Sequence, residues 1–152
     1  MTDVLTLIGS LRAASLNRAL ARAAQAAAPP GLRLHLTGLA GIPVFDEDLE
    51  AHDQPAQVRR LADRILAAGA LLIITPEYNF SIPGGLKNAL DWLSRDPREP
   101  LRGRPAATAG ATLGTGGTRQ AQGAGPVPRP AGPVMTGPGA DGILHIHGAH
   151  YL

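Results

Sequence analysis

A chain of 152 residues is long enough for one domain with a sizeable core and too short for two ordinary ones. A net charge of only +2, 3% aromatic residues and no clustered basic stripe argue against nucleic-acid binding, even with a pI near 9.7. The absence of cysteine removes disulfides, thiolate chemistry and cysteine-type zinc sites, and no apolar run is long enough to span a bilayer.

The first residues, Thr2-Asp3-Val4, lack a signal-peptide pattern, so a soluble cytoplasmic protein is the expectation. Val4 to Ile8 is a short apolar run stopped by Gly9 and reads as a buried strand. Leu16 to Ala28 is alanine-rich with Arg18 and Arg22, a strong helix former that Pro29-Pro30-Gly31 ends. Leu32, Leu34 and Leu36 alternate with polar residues, as in a strand with one buried face. A loop is expected from Gly38 to about Pro55. Its acidic cluster, Asp46, Glu47, Asp48 and Glu50, lacks the ligand spacing of a calcium loop and reads as solvated or interfacial.

Val58, Leu61, Ile65 and Ala68 recur at helical spacing, and Gly69 is placed to end that helix. Ala70 to Thr75 is a second continuous apolar strand. Pro83 opens another helix, with Leu86, Leu90 and Leu93 on one stripe. Pro105 to Leu113 is a weaker strand built of small residues. The order β-α-β-α-β-α-β implies an α/β fold with a parallel sheet covered on both faces.

From Gly123 the pattern collapses. Residues 123–152 hold seven glycines and five prolines, with Arg129 and Asp141 as their only charged residues. Prolines delete ladder donors, so only Ile143 to Ile146 is expected to pair as a short strand. The chain thus divides into a domain over residues 1–122 and a Gly/Pro-rich tail over 123–152. Two readings of the tail stay open: a disordered segment, or a C-terminus replaced through a shifted reading frame.

Two segments carry chemistry. The first, Ser10 to Arg18, joins the first strand to the first helix at the carboxyl end of the sheet, where open α/β folds place ligands. The helix N-terminus offers unpaired N–H groups and the positive end of its dipole. Ser10, Ser15 and Asn17 add hydrogen-bonding groups, and Arg12 adds a charge able to hold a phosphate through two bonds. Ser15 also suits the helix N-cap. There is no G-x-x-x-x-G-K-[ST], and no G-x-G-x-x-G follows this strand, which favours a monophosphate over ATP or a directly bound dinucleotide. The second segment runs from Thr75 to Trp92. It places Pro76, Glu77, Tyr78, Asn79 and Phe80 in a polar and aromatic loop at the same end of the sheet.

GSLRAASLNR followed by TPEYNFSIPGGLKNALDW resembles the NADPH-dependent FMN reductase family, over residues 3 to about 122. The resemblance implies a flavodoxin-like three-layer sandwich of strand order 2-1-3-4-5 with non-covalent FMN. Here the Gly/Pro tail takes the place of the fifth strand and last helix, which would leave the fourth strand as an exposed edge. The resemblance further implies that Ser10, Arg12, Ser15 and Asn17 hold the FMN phosphate. Pro76, Glu77, Tyr78 and Asn79 would face the isoalloxazine and ribityl chain. The stretch from Ala111 to Gly117 resembles the third flavin loop, with Ala111 and Thr112 where many relatives carry serine.

The implied reaction is reduction of quinones or similar small acceptors by NADPH or NADH through FMN, in a homodimer or homotetramer. The chemistry is carried by FMN and no side chain is assigned as acid or base. For Glu77 an ion pair with a nearby arginine is expected. Two rivals stand beside this reading: a catalytically impaired, truncated relative, and a flavodoxin-like electron carrier without reductase turnover. His145, His147 and His150 could ligate a metal only without any accompanying carboxylate, so solvent-exposed histidines are the expectation.

Overall fold

In a computed structural model, residues 1–112, 117–118 and 120–121 are described in full, together with the backbone of 135–136, 145–146 and 150–151. Strand β1 (Thr2–Ile8) is followed by α1 (Leu16–Ala26), β2 (Leu32–Gly38), α2 (Glu47–His52), α3 (Ala56–Ala67), β3 (Ala70–Ile74), α4 (Gly84–Ser94) and β4 (Pro105–Gly110). These four strands are parallel in the order β2-β1-β3-β4. The strand order therefore reverses between β1 and β3, the position at which such sheets open a crevice.

The apolar runs split between two faces as the period of two requires. Leu5 and Leu7 of β1 join Leu71 and Ile73 of β3 under α3 and α4, with Leu61, Ile65, Leu86, Leu90 and Leu93. Ile8 and Ile74 face the other way with Ala21 of α1 and Ala109. Both sides of the sheet are therefore covered, which is why these strands carry no polar alternation.

The expected loop from Gly38 to Pro55 contains a helix. Asp46 caps α2 by accepting from the Asp48 N–H at 2.8 Å, and Glu47, Asp48 and Glu50 lie in its first turn. The acidic cluster is thereby accounted for: carboxylates at a helix N-terminus face the positive end of the dipole. Gly69 does not form a left-handed cap. Its N–H donates to the Asp3 carbonyl at 2.8 Å, tying the start of β3 to β1.

Nor is β4 left as a bare edge. Its outer side pairs antiparallel with two-residue strands, β6 (His145–Ile146) opposite Ala109 and Gly110, and β7 (His150–Tyr151) opposite Pro105 and Ala106. Strand β5 (Met135–Thr136) then pairs with β6. Main-chain groups that would otherwise template aggregation are in this way partly satisfied. His145 matches the expected strand, whereas Ile143 and His147 lie outside the described residues.

After α4, Asp96 is 2% exposed and accepts from the Arg98 guanidinium through both carboxylate oxygens, at 2.9 and 2.7 Å. The Arg98 hydrogen bonds hold the Asp96 carboxyl below its ordinary value. A carboxyl whose folded pKa is depressed adds stability that is full above its unfolded pKa and is lost as pH falls through the folded one. Denaturation at pH 7 and pH 3 is expected to show a smaller acid-induced loss for Asp96→Asn than for the wild type. Equal losses would remove Asp96 as a source of acid sensitivity.

Candidate functional site

Three loops leave the carboxyl ends of β1, β3 and β4 side by side. Main-chain bonds lace their roots together: Gly9 N–H donates to the Ile74 carbonyl at 2.8 Å, and Thr75 N–H to the Ala109 carbonyl at 2.9 Å. The approach leaves no room for side chains. A Cβ on Gly9 would sit 2.9 Å from Thr75 Oγ1, and one on Gly110 would collide with Thr118 Oγ1 and the Thr75 carbonyl.

In the first loop Ser10 is buried and Arg12 is exposed. Ser15 is the N-cap of α1, its Oγ accepting from the Asn17 N–H at 3.2 Å. The main-chain N–H groups from Ser10 to Ala14 donate to no acceptor among the described residues. The first turn of α1 carries no acidic residue. Among the described residues Arg12 makes no ion pair and the buried Nε of Arg18 has no hydrogen-bond partner. A row of free N–H groups, a helix N-terminus and two uncommitted guanidinium groups make a donor set that suits an anion.

Asn17 also reaches the third loop. It is 3% exposed, its Nδ2 donates to the Ala111 carbonyl and its Oδ1 accepts from the Ala111 N–H, both at 2.9 Å. The first and third loops are therefore bonded directly.

In the second loop Pro76 is buried and Glu77 half-buried. Glu77 Oε2 accepts from the main-chain N–H groups of Gln120 at 2.8 Å and Ala121 at 3.1 Å, and no arginine among the described residues pairs with it, Arg119 lying outside them. Tyr78 and Ser81 exchange two main-chain bonds of 3.0 Å around Asn79 and Phe80, whose φ angles are +50° and +62°. This is the backbone of a type I′ turn. Asparagine tolerates the left-handed region, but phenylalanine there is strained by about 1–3 kcal/mol, a feature that clusters at functional sites. The turn leaves Tyr78 and Phe80 exposed.

The rest of that motif is structural. Asn88 accepts from the Phe45 N–H and donates to the Pro43 carbonyl, each at 2.7 Å, and Trp92 Nε1 donates to the same carbonyl at 2.9 Å. In the third loop Ala111 and Thr112 are half-buried, and Gly117 and Thr118 are buried. The remainder of the expected flavin loop, 113–116, lies outside the described residues.

A cavity of about 760 Å³ lies elsewhere. It is lined by ion-paired residues of α2, α3 and the segment after α4, among them Glu50, Asp63, Arg95 and Arg98, and by none of the three loops. These groups are already partnered, so the loop edge, with its free donors, is the better candidate. Among the described residues no group of three or more histidine, aspartate or glutamate side chains could hold a metal.

The chain is 48% identical over 119 residues to an NAD(P)H-dependent FMN reductase of Pseudomonas aeruginosa, covering 78% of this chain and 64% of that protein. It is 45% identical over 120 residues to a quinone reductase of Escherichia coli K12, with coverage of 77% and 64%. The chain thus spans under two thirds of the length of either relative. Among solved structures, FerB of Paracoccus denitrificans, a flavoenzyme NAD(P)H:(acceptor) oxidoreductase, superposes with a TM-score of 0.74. It is 42% identical, over 80% of this chain and 67% of that one. The family's sequence model covers residues 2–127, which include all three loops and the strands that carry them, and the chain belongs to the NADPH-dependent FMN reductase family.

Proposed function

We propose that the chain binds FMN at the three-loop edge and reduces quinones or similar small acceptors with NADPH or NADH. The observation that carries this reading is the unpaired N–H row from Ser10 to Ala14 beside Arg12 and the α1 N-terminus. The donor set fits a phosphate: main-chain N–H groups point charge-free dipoles at it, and Arg12 adds two charge-assisted bonds. Ser10 and Ser15 stand in the same loop.

When bound, FMN supplies the redox chemistry, taking a hydride from the nicotinamide and passing electrons to the acceptor. The residues bind and orient. Pro76, Tyr78 and Asn79 line the flavin from the second loop, and Ala111 and Thr112 from the third. Exposed Phe80 and Tyr78 give a planar acceptor an aromatic surface to stack on. No described side chain is needed to move a proton.

Homologous assembly as a dimer or tetramer, and a cytoplasmic location, belong to the same proposal. No helix among the described residues is long and apolar enough to cross a membrane. A second reading, an FMN binder without turnover, is favoured by the short antiparallel pieces that flank β4. The two separate in one assay. Protein loaded with FMN is expected to oxidise NADPH or NADH many times over only when benzoquinone is present. Full FMN occupancy with no quinone-dependent turnover would leave the second reading standing alone.

A further inference from the structure

Asn17 and Glu77 belong to the first and second loops, and their polar ends meet the main chain that follows β4. The Asn17 amide bonds both polar groups of Ala111, 94 positions away in sequence, at 2.9 Å each. A planar amide held at both ends cannot rotate without losing both bonds, and its orientation is fixed because a flipped amide would set donor against donor. Glu77 Oε2 takes the N–H groups of Gln120 and Ala121. The segment leaving β4 is therefore held near its start by α1 and farther along by the second loop. Gly110, just before the first hold, lies so close to Thr118 and the Thr75 carbonyl that a Cβ there would collide with both.

We propose that Asn17 and Glu77 are positioning residues that clamp the third loop against the flavin site, and that Asn17 does so without touching the FMN phosphate. The proposal rests on the FMN reading above. It is not what position alone suggests, since Asn17 lies in the first turn of the helix whose N–H groups face the anion. The distinction is measurable because FMN and riboflavin share the ring and ribityl chain and differ only in the phosphate. A phosphate ligand matters for FMN alone. A loop clamp matters for both.

Binding of each flavin is read by fluorescence quenching, and amide hydrogen exchange is followed on the flavin-free protein. Asn17→Ala is expected to weaken FMN and riboflavin by the same factor, about 5- to 100-fold for two lost hydrogen bonds. Exchange of the Ala111 amide should rise in parallel. Glu77→Ala, a change at a half-buried site that spares the core, is expected to weaken both flavins alike and speed exchange at Gln120 and Ala121. A loss confined to FMN in Asn17→Ala would overturn the proposal and return Asn17 to the phosphate. Unchanged amide exchange in both variants would overturn it as well. A wild type that binds neither flavin would sink the FMN reading, while amide exchange would still judge the clamp.

Discussion

Trp92→Ala is expected to lower folding stability by about 3–5 kcal/mol, the usual range for emptying a buried aromatic site. Trp92 is fully buried and is the largest side chain in the interior. It also organises the chain between β2 and α2. Its Nε1 donates to the Pro43 carbonyl, and its ring meets Phe45 edge-on with centroids 4.9 Å apart and an interplanar angle of 77°. Asn88, one turn earlier in α4, completes the arrangement through Pro43 and Phe45. Truncation therefore opens a cavity, removes an edge-to-face contact and takes one donor from Pro43 in a single step. Trp92→Phe keeps most of the apolar surface and loses the N–H, so its loss should be the smaller of the two. Urea denaturation measures both. A Trp92→Ala midpoint within about 1 kcal/mol of the wild type would mean that the surrounding loop collapses into the space, contrary to the packing described.

Arg12→Ala should act on ligand and not on fold. The side chain is exposed and unpaired, so the melting temperature is expected to stay within the range of neutral surface changes. FMN affinity is expected to fall about 10- to 150-fold, the equivalent of a charged hydrogen-bonding contact worth about 1.5–3 kcal/mol. Riboflavin affinity should not change, because Arg12 addresses only the phosphate. Arg12→Lys should fall between, retaining charge without the guanidinium fork. Equal losses for FMN and riboflavin would assign Arg12 to loop structure. The contrast with Asn17 makes the pair informative: neighbouring residues of one motif are expected to show opposite flavin signatures.

Much of this architecture is legible in local sequence. Continuous apolar runs mark β1 and β3, helical stripes mark α3 and α4, and the positions of Gly9 and Pro76 put two loops at the same sheet edge. What local pattern misses are contacts between distant segments. Nothing around Asn17 announces that Ala111 will take both ends of its amide, and nothing around Glu77 announces the N–H groups of Gln120 and Ala121. Helix α2 escapes for another reason. It has six residues and no buried one, so it leaves no apolar stripe, and only its aspartate cap and acidic first turn mark it. Of the antiparallel cover on β4, His145–Ile146 falls in the one apolar stretch expected to pair, whereas His150–Tyr151 has no such run to announce it.

The most direct test is titration of the purified, folded chain with FMN, followed by flavin fluorescence and the visible spectrum. Saturable one-to-one uptake that inorganic phosphate weakens by competition is the expected result. A well-folded sample that leaves FMN free in solution, even at large excess, would contradict the assignment of the Ser10–Ser15 loop as its phosphate cradle.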